Sequence, residues 1–396
     1  MTQNAPDPGP TDALAGLRVL DFSIMIAGPY CARLLADLGA DVVKIEPLDG
    51  DDMRQRGTHI GGKSTFFGAL NAGKRSLALD LKTPAAIALV RKLAAASDVI
   101  VENFRPGAMA KLGLDDASLR ALNPRLIYCS ISGYGQTGPS AGRSAYAPIV
   151  HAESGFDLAN MAYQGLDAPP HGAIFTADIL GGAYGFAAIQ TALYQRERTG
   201  LGQHIDVALM DCMMNLLVHE VQEAQAPPGP LRSTFGPVGT RDRAITVTPI
   251  TQKNFLALCT VMERPALAQD ARFARPAVRS RNWAALMREV ADWAHGRTAR
   301  ECLDALEAAG VPSALYRSVR ETLQDPQLAA RGVFTLVDDG AASFRGANPP
   351  FKMSRAAAYL RGAPPQLGAD SETVAAEAKI QLDEFGPLDR IGESAS

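Results

Sequence analysis

Over the first 135 residues, short apolar runs alternate with stretches of helical period. Arg18 to Phe22 (RVLDF) is a β-type run. Gly28-Pro29 opens a helix with Leu34, Leu35 and Leu38 on one face, and Gly39 stops it. Asp41 to Glu46 (DVVKIE) predicts the next strand, and Arg75 to Leu81 (RSLALDL) another. Thr83-Pro84 then caps a helix that carries Ile87, Val90, Leu93 and Ala94 at helical spacing. Val99 to Val101 is a strand, Asp115 or Asp116 caps the helix DASLRAL, and Arg125 to Ile131 (RLIYCSI) is a further strand. Short apolar strands separated by helices require right-handed crossovers and a parallel sheet covered on both faces. The expected fold class is α/β, with a Rossmann-like large domain.

From Asp178 to Arg196 the pattern is helical, with Ile179, Ala183, Phe186, Ala187 and Leu193 on a broad apolar stripe. GLGQHIDVALMD reads as turn and strand, and MMNLLVHEVQEA as one helix. Near Ala226 the composition changes to APPGPLRSTFGPVGT, a connector without periodicity. The strand AITVTP and helices through about Ala309, one capped by Thr298, place a smaller α+β domain after it. The expected division is a flexible tail at 1–12, a large domain at 13–225, connector and small domain at 226–330, and a Gly- and Pro-rich remainder at 331–396 with one late helix.

Composition narrows the class. The chain has 396 residues, 47% of them hydrophobic and 20% charged, enough for a sizeable core. A net charge of −3 offers no basic excess for a nucleic-acid backbone. No apolar run reaches membrane-span length, and the opening MTQNAPDPGPTD lacks the features of a signal peptide. Cys31, Cys129, Cys212, Cys259 and Cys302 are scattered and never form CxxC, which fits reduced thiols and a cytoplasmic location. The histidines show no metal-ligand spacing, so no metal site is expected. Two motifs mislead. Gly133, Gly135 and Gly138 match GxGxxG but run into a loop, and GTHIGGKS at Gly57 to Ser64 matches a phosphate loop without a strand leading into it. No GxSxG elbow is present.

Longer strings carry more. LAGLRVLDFS with IAGPYCARLLADLGADVVKIE, NAGKRSLALDLKTP, DVIVENFRPGAMAKLGL and NPRLIYCSISGYGQTGP occur in that order. TADILGGAYGFAAIQTALYQRERTGLGQHIDVALMD and AGVPSALYRSVRETLQDPQLAARG follow. Together, over about Leu14 to Phe351, they resemble the class III CoA-transferase family, which includes formyl-CoA and carnitine CoA-transferases and has α-methylacyl-CoA racemases as cousins. The resemblance implies an interlocked, ring-shaped homodimer whose large domain is completed by the returning C-terminus at 331–396. It implies acyl-CoA and carboxylic-acid substrates, with no permanently bound cofactor, and no nucleic-acid or membrane partner.

The resemblance carries over residue by residue. Asp178 matches the nucleophilic aspartate, which moves CoA through an aspartyl anhydride and an aspartyl-CoA thioester. Read locally, Asp178 is also the N-cap of the helix that follows. Leu79, Lys82, Asn103, Phe104, Arg105 and Lys111 match positions lining CoA, with Lys and Arg suited to its phosphates. Ile24, Met25, Ile26, Ala27, Tyr146, Gly236 and Gly239 match the substrate pocket. Departures are informative. Ile24 and Ile26 stand where oxalate-using relatives carry His and Gln, which argues against formyl-CoA/oxalate specificity and for an apolar wall. Any second carboxylate then needs an arginine, with Arg143 and Arg54 nearest in sequence. Tyr146 occupies the position of the racemase histidine, and His151 and Glu153 lie close by in a different register. The expected function is CoA transfer to a small or branched dicarboxylate; the alternatives are α-methylacyl-CoA racemisation and CoA binding without catalysis.

Overall fold

A computed structural model describes residues 11–227 and 234–379. The tail expected at 1–12 therefore lies almost wholly outside the described residues, as do part of the connector and the last part of 331–396.

Six strands form one parallel sheet: β1 (Arg18–Asp21), β2 (Asp41–Glu46), β3 (Arg75–Ala78), β4 (Val99–Glu102), β5 (Ile127–Ser132) and β6 (His204–Ala208). Their order is β3-β2-β1-β4-β5-β6. The chain winds outward from β1 in one direction, then resumes beside β1 at β4 and winds the other way. At such a reversal the loops after the two central strands diverge and leave a crevice at their C-terminal ends.

Both faces are covered. On one, α1 (Ala27–Asp37), α3 (Ala147–Glu153), α4 (Thr176–Thr199) and α5 (Leu209–Leu216) pack around Val19, Leu35, Val101, Ile131 and Ile189. On the other, α2 (Pro84–Ala95) buries Leu89, Val90 and Leu93 against Leu20, Val43 and Ile100, as its helical spacing predicts. Thr83 starts α2 by accepting the Ala86 N–H, and Asp115 accepts that of Ser118.

The chain divides into two compact units. The first runs to Leu158, resumes over Pro169–Val221 and again from Ala329; the second comprises Ala159–Ala168 and Gln222–Leu328. In the second, β7 (Val238–Gly239), β8 (Ala244–Val247) and β9 (Ser313–Leu315) form an antiparallel sheet. Helices α6 (Gln252–Val261), α7 (Trp283–His295) and α8 (Ala299–Ala308) enclose Phe255, Phe273, Leu286 and Leu306 with it. A capping box between Thr298 and Glu301 starts α8. In the first unit the late helix α9 (Ser371–Glu377) returns to the edge of the parallel sheet, where Asp370 accepts the Ser76 N–H at 2.8 Å and Glu377 pairs with Arg75 at 2.8 Å.

Several boundaries differ from expectation. Strand β3 stops at Ala78 because Asp80 turns the chain, accepting backbone N–H bonds from Lys82 and Thr83. The expected single helix after β6 breaks at Leu217. A hairpin, β10 (Phe334–Asp338) and β11 (Ser343–Ala347), forms in the remainder where only a helix was expected, burying Val337 and Phe344 with Leu360. Most consequentially, α4 begins at Thr176 with Phe175 at its N-cap, so Asp178 is the third helical residue and not the cap.

Helices α1 and α4 lie unusually close. A Cβ on Gly182 would stand 2.5 Å from the carbonyl oxygen of Ala27, and one on Gly181 2.4 Å from Leu209. Helix propensity alone favours alanine at such a position by about 1 kcal/mol. The contact at Gly182 is with backbone, which cannot rotate away. Gly182→Ala is therefore expected to destabilise the protein by about 1–3 kcal/mol, the usual cost of overpacking, read as a lower urea midpoint. A higher midpoint would show that α4 moves freely off α1.

Candidate active site

The crevice begins with a buried charge lattice beneath the loop that leaves β1. Lys74, fully buried, donates to Asp21 at 2.7 Å, to Asn71 at 2.8 Å and to the Pro29 carbonyl at 2.9 Å. Lys44, equally buried, donates to the Ser23 carbonyl at 2.7 Å and pairs with Asp51 at 3.0 Å. Asp21 in turn accepts the Ser23 N–H at 2.9 Å and the Ser23 hydroxyl. Burial works against the Asp21 carboxylate, but the ammoniums of Lys74 and Lys44 outweigh it and hold its pKa below the usual range. Burial pushes Lys74 down to about 8 despite Asp21.

Asn103, just past β4, clamps the same loop from the other side of the crevice. Its carbonyl oxygen accepts the Ile24 N–H at 2.8 Å, and its amide donates to the Ile24 carbonyl at 2.7 Å. Between these ties Met25 is held at φ 65°, a left-handed conformation that a side-chain-bearing residue adopts at a cost of about 1–3 kcal/mol. Gly28 completes the turn; a Cβ there would stand 2.2 Å from that of Ser23. The Asn103–Arg105 turn is itself held by Glu102, which accepts the Phe104 N–H at 2.9 Å. Burial raises the Glu102 carboxyl to about 7.

A cavity of about 320 Å³ opens over these loops. Ile24, Met25 and Ala27 line it from the β1 side, Asn103, Phe104 and Arg105 from the β4 side, and Ile131, Ser132 and Gly133 from the end of β5. Asp178 closes it from the first turn of α4, with Tyr146 at the start of α3 and Leu209 at the start of α5. Burial raises the Asp178 carboxyl to about 6, against a smaller opposing effect from its own backbone N–H. No side chain among the described residues forms a hydrogen bond or ion pair with it. A partnerless carboxylate in a cavity, at the positive end of a helix, has the chemistry a nucleophile or a base needs.

Other candidates fall elsewhere. Ile26 is 5% exposed and does not line the cavity, so the apolar wall consists of Ile24 and Met25. Leu79 is buried in the core, and Lys82 and Lys111 are exposed away from the cavity. Gly236 and Gly239 belong to the second unit. Arg54 is bound bidentately by Glu46 and is no free anion receptor. Arg143 lines the cavity but pairs with Glu153, which also accepts the Tyr134 hydroxyl at 2.6 Å. Glu153 is thereby engaged as an acceptor. His151 accepts the Ala177 N–H through Nε2 at 3.1 Å. Arg105 alone among the candidate cations lines the cavity with a side chain that makes no hydrogen bond or ion pair among the described residues. Asp52, Ser132 and Leu209 were not anticipated; the position of Ser132 at the C-terminal end of an apolar strand was the available signal. No group of three or more His, Cys, Asp or Glu among the described residues is placed to hold a metal.

Comparison with known proteins agrees on one family. The family model described as CoA-transferase family III matches residues 14–371. The chain is 36% identical to a succinate–glutarate CoA-transferase of Agrobacterium fabrum, covering 93% of this chain and 96% of that protein. It is 38% identical to an acetyl-CoA:oxalate CoA-transferase of Acetobacter aceti, covering 88% and 91%. The crystal structure of a CAIB/BAIF family protein from Brucella suis superposes with a TM-score of 0.80 at 34% identity, covering 93% of this chain and all of that one. With a parallel sheet of this order, a carboxylate in its crevice and matches of this extent, the chain belongs to CoA-transferase family III and is an enzyme of that class.

Proposed function

We propose that the protein transfers CoA between carboxylic acids through covalent intermediates on Asp178. The observation that carries this reading is the unpaired Asp178 carboxylate opening into the cavity, deprotonated above about pH 6. A carboxylate oxygen attacks the acyl-CoA carbonyl, the C–S bond breaks, and CoA leaves as thiolate with a mixed anhydride on Asp178. The thiolate attacks the aspartyl carbonyl of that anhydride, the C–O bond breaks, and the donor acid leaves as carboxylate from an aspartyl-CoA thioester. The acceptor carboxylate attacks this thioester and releases the thiolate again. That thiolate then attacks the acceptor carbonyl, yielding the new acyl-CoA and free Asp178. The net exchange turns one thioester and one carboxylate into another thioester and carboxylate, so it is near-isoenergetic overall, and the covalent route divides it into successive acyl transfers.

The acceptor is a small or branched dicarboxylate. Ile24 and Met25 offer hydrocarbon beside the reacting carboxyl, and relatives are named for succinate, glutarate and oxalate. The oxalate-named relative reopens what the apolar loop argued against, so a small diacid belongs in any substrate panel. Asn103, Phe104 and Arg105 form the CoA side, Arg105 as phosphate ligand. Lys82 and Lys111, exposed outside the cavity, are outer contacts of the nucleotide. In this reading the large domain at 13–225 is completed by the chain after 331, with the connector and small domain at 226–330. The working form is the homodimer: the exposed Ile179, Tyr184 and Tyr194 on α4 and Val218 beyond α5 form apolar surface a second copy would cover, and light scattering would return twice the chain mass. Five unpaired thiols fit a reducing, cytoplasmic setting.

Asp178→Asn is expected to lower transfer by several orders of magnitude, and hydroxylamine added to the wild type with acyl-CoA to leave a hydroxamate on the Asp178 peptide. Retained transfer would sink the covalent mechanism. The same variant is expected to be more stable. With its folded pKa raised from 3.8 to about 6, Asp178 carries no penalty below pH 3.8, a growing one between, and the full one above 6. The urea midpoint of Asp178→Asn should thus exceed that of wild type at pH 7.5, the gap closing toward pH 4.

Substitutions on the two walls should separate in kinetics. Arg105→Ala is expected to raise KM for acyl-CoA about tenfold with kcat little changed, as loss of a contact made equally in ground and transition states. Met25→Gln is expected to shift relative kcat/KM across oxalate, succinate and methyl-branched acids, by about tenfold between extremes. Unchanged values in either variant would remove that residue from the site.

A further inference from the structure

The first four N–H groups of a helix have no partner within it and are usually met by the side chain of the N-cap residue. Helix α4 has Phe175 at its N-cap, and no side-chain bond forms there. Ala177, the residue before Asp178, is fully buried, so water cannot serve its N–H. The acceptor comes instead from another helix. His151 on α3, 7% exposed, takes the Ala177 N–H on Nε2 at 3.1 Å, and its ring lies against Phe156 with centroids 5.2 Å apart.

We propose that His151 is the positioning residue of the nucleophile: its neutral Nε2 anchors the first turn of α4, and protonation of the ring releases that turn and withdraws Asp178 from its attacking position. This rests on the reading of Asp178 as nucleophile. An imidazolium has no lone pair for the Ala177 N–H, and it would place a cation at the positive end of a helix. Burial holds His151 below its usual pKa, so the acceptor form prevails at neutral pH. Asp157, after the turn that ends α3, is the charge opposing that shift. On the helices packed on α3, α4 carries Asp178 one residue from Ala177, with its other titratable groups, from Tyr184 on, further along the helix, and α5 carries Asp211 and Cys212; Glu153 on α3 itself is bound to Arg143. Activity then requires two deprotonations on the acid side, at Asp178 and at His151.

The test compares His151→Gln, which keeps an acceptor that does not titrate, with His151→Leu, which removes it. Steady-state kinetics of the full-length protein are followed from pH 4.5 to 8, with amide exchange over residues 174–180. His151→Leu is expected to lower kcat about 10- to 100-fold at every pH, to leave KM for acyl-CoA nearly unchanged, and to speed exchange at Ala177. His151→Gln should recover most of that turnover and slow exchange again, and its acid limb should fall with the slope of one proton where wild type falls more steeply. Wild-type kcat and exchange in the Leu variant would overturn the proposal, as would a Gln variant that loses as much as Leu or keeps the steeper limb. Asp178→Asn, run beside them, separates the two readings. Transfer surviving in that variant would defeat the nucleophile while leaving the exchange result at Ala177 to judge the anchor.

Discussion

Everything chemical in this molecule hangs from two buried ammonium groups. Lys74 and Lys44 reach from below the parallel sheet's central crevice to the Pro29 and Ser23 carbonyls, which bracket the loop between β1 and α1. Their charges are matched by Asp21 and Asp51 at 2.7 and 3.0 Å, with both lysine side chains shut off from solvent. A buried pair of this kind adds little net stability, yet removing one partner costs about 3–5 kcal/mol because the other charge is stranded. The lattice therefore acts less as glue than as a template. It allows one course for the loop, and Asn103 then pins that course to the far side of the crevice.

The site stores unfavourable arrangements that the surrounding fold sustains. Met25 is held in a left-handed conformation, Asp178 keeps a carboxylate without a counter-charge, and α4 gives up helix propensity at Gly182 to approach α1 and at Gly181 to approach Leu209 of α5. These features are coupled by geometry. The close approach of α4 to α1 puts its first turn over the loop that the lysines fix, and that turn carries Asp178. Asp178 and the loop are thus referenced to the same buried lattice, which fixes the carboxylate against the crevice as the proposed acyl transfers require.

Hydrophobic periodicity alone located most of the parallel sheet and the helices on it, since which face of an element is buried is written into its own residues. Local capping chemistry was equally readable: Thr83, Asp115 and Thr298 each start a helix as their side chains predict. Errors occurred where a distant contact overrode the local signal. Asp178 reads as a cap, but α4 begins two residues earlier because His151 supplies the acceptor that Phe175 lacks. The terminal hairpin is similarly silent, since its few buried residues are completed by Leu360, well beyond it.

The candidate site divides along the same line. Strings resembling a known family named Asp178, the β1 loop and the Asn103–Arg105 turn, and these meet in one cavity. The same strings did not say that Ile26 turns inward, that Arg54 and Arg143 are already bound by carboxylates, or that Asn103 grips Ile24. Sequence by itself determined the type and polarity of the elements and the chemistry of the residues at their ends. Only the tertiary structure decided which ends meet. The reversal of strand order between β1 and β4, and hydrogen bonds between residues 79 positions apart, set that meeting, and pairing across such distances depends on the global arrangement of strands and not on any local pattern of residues.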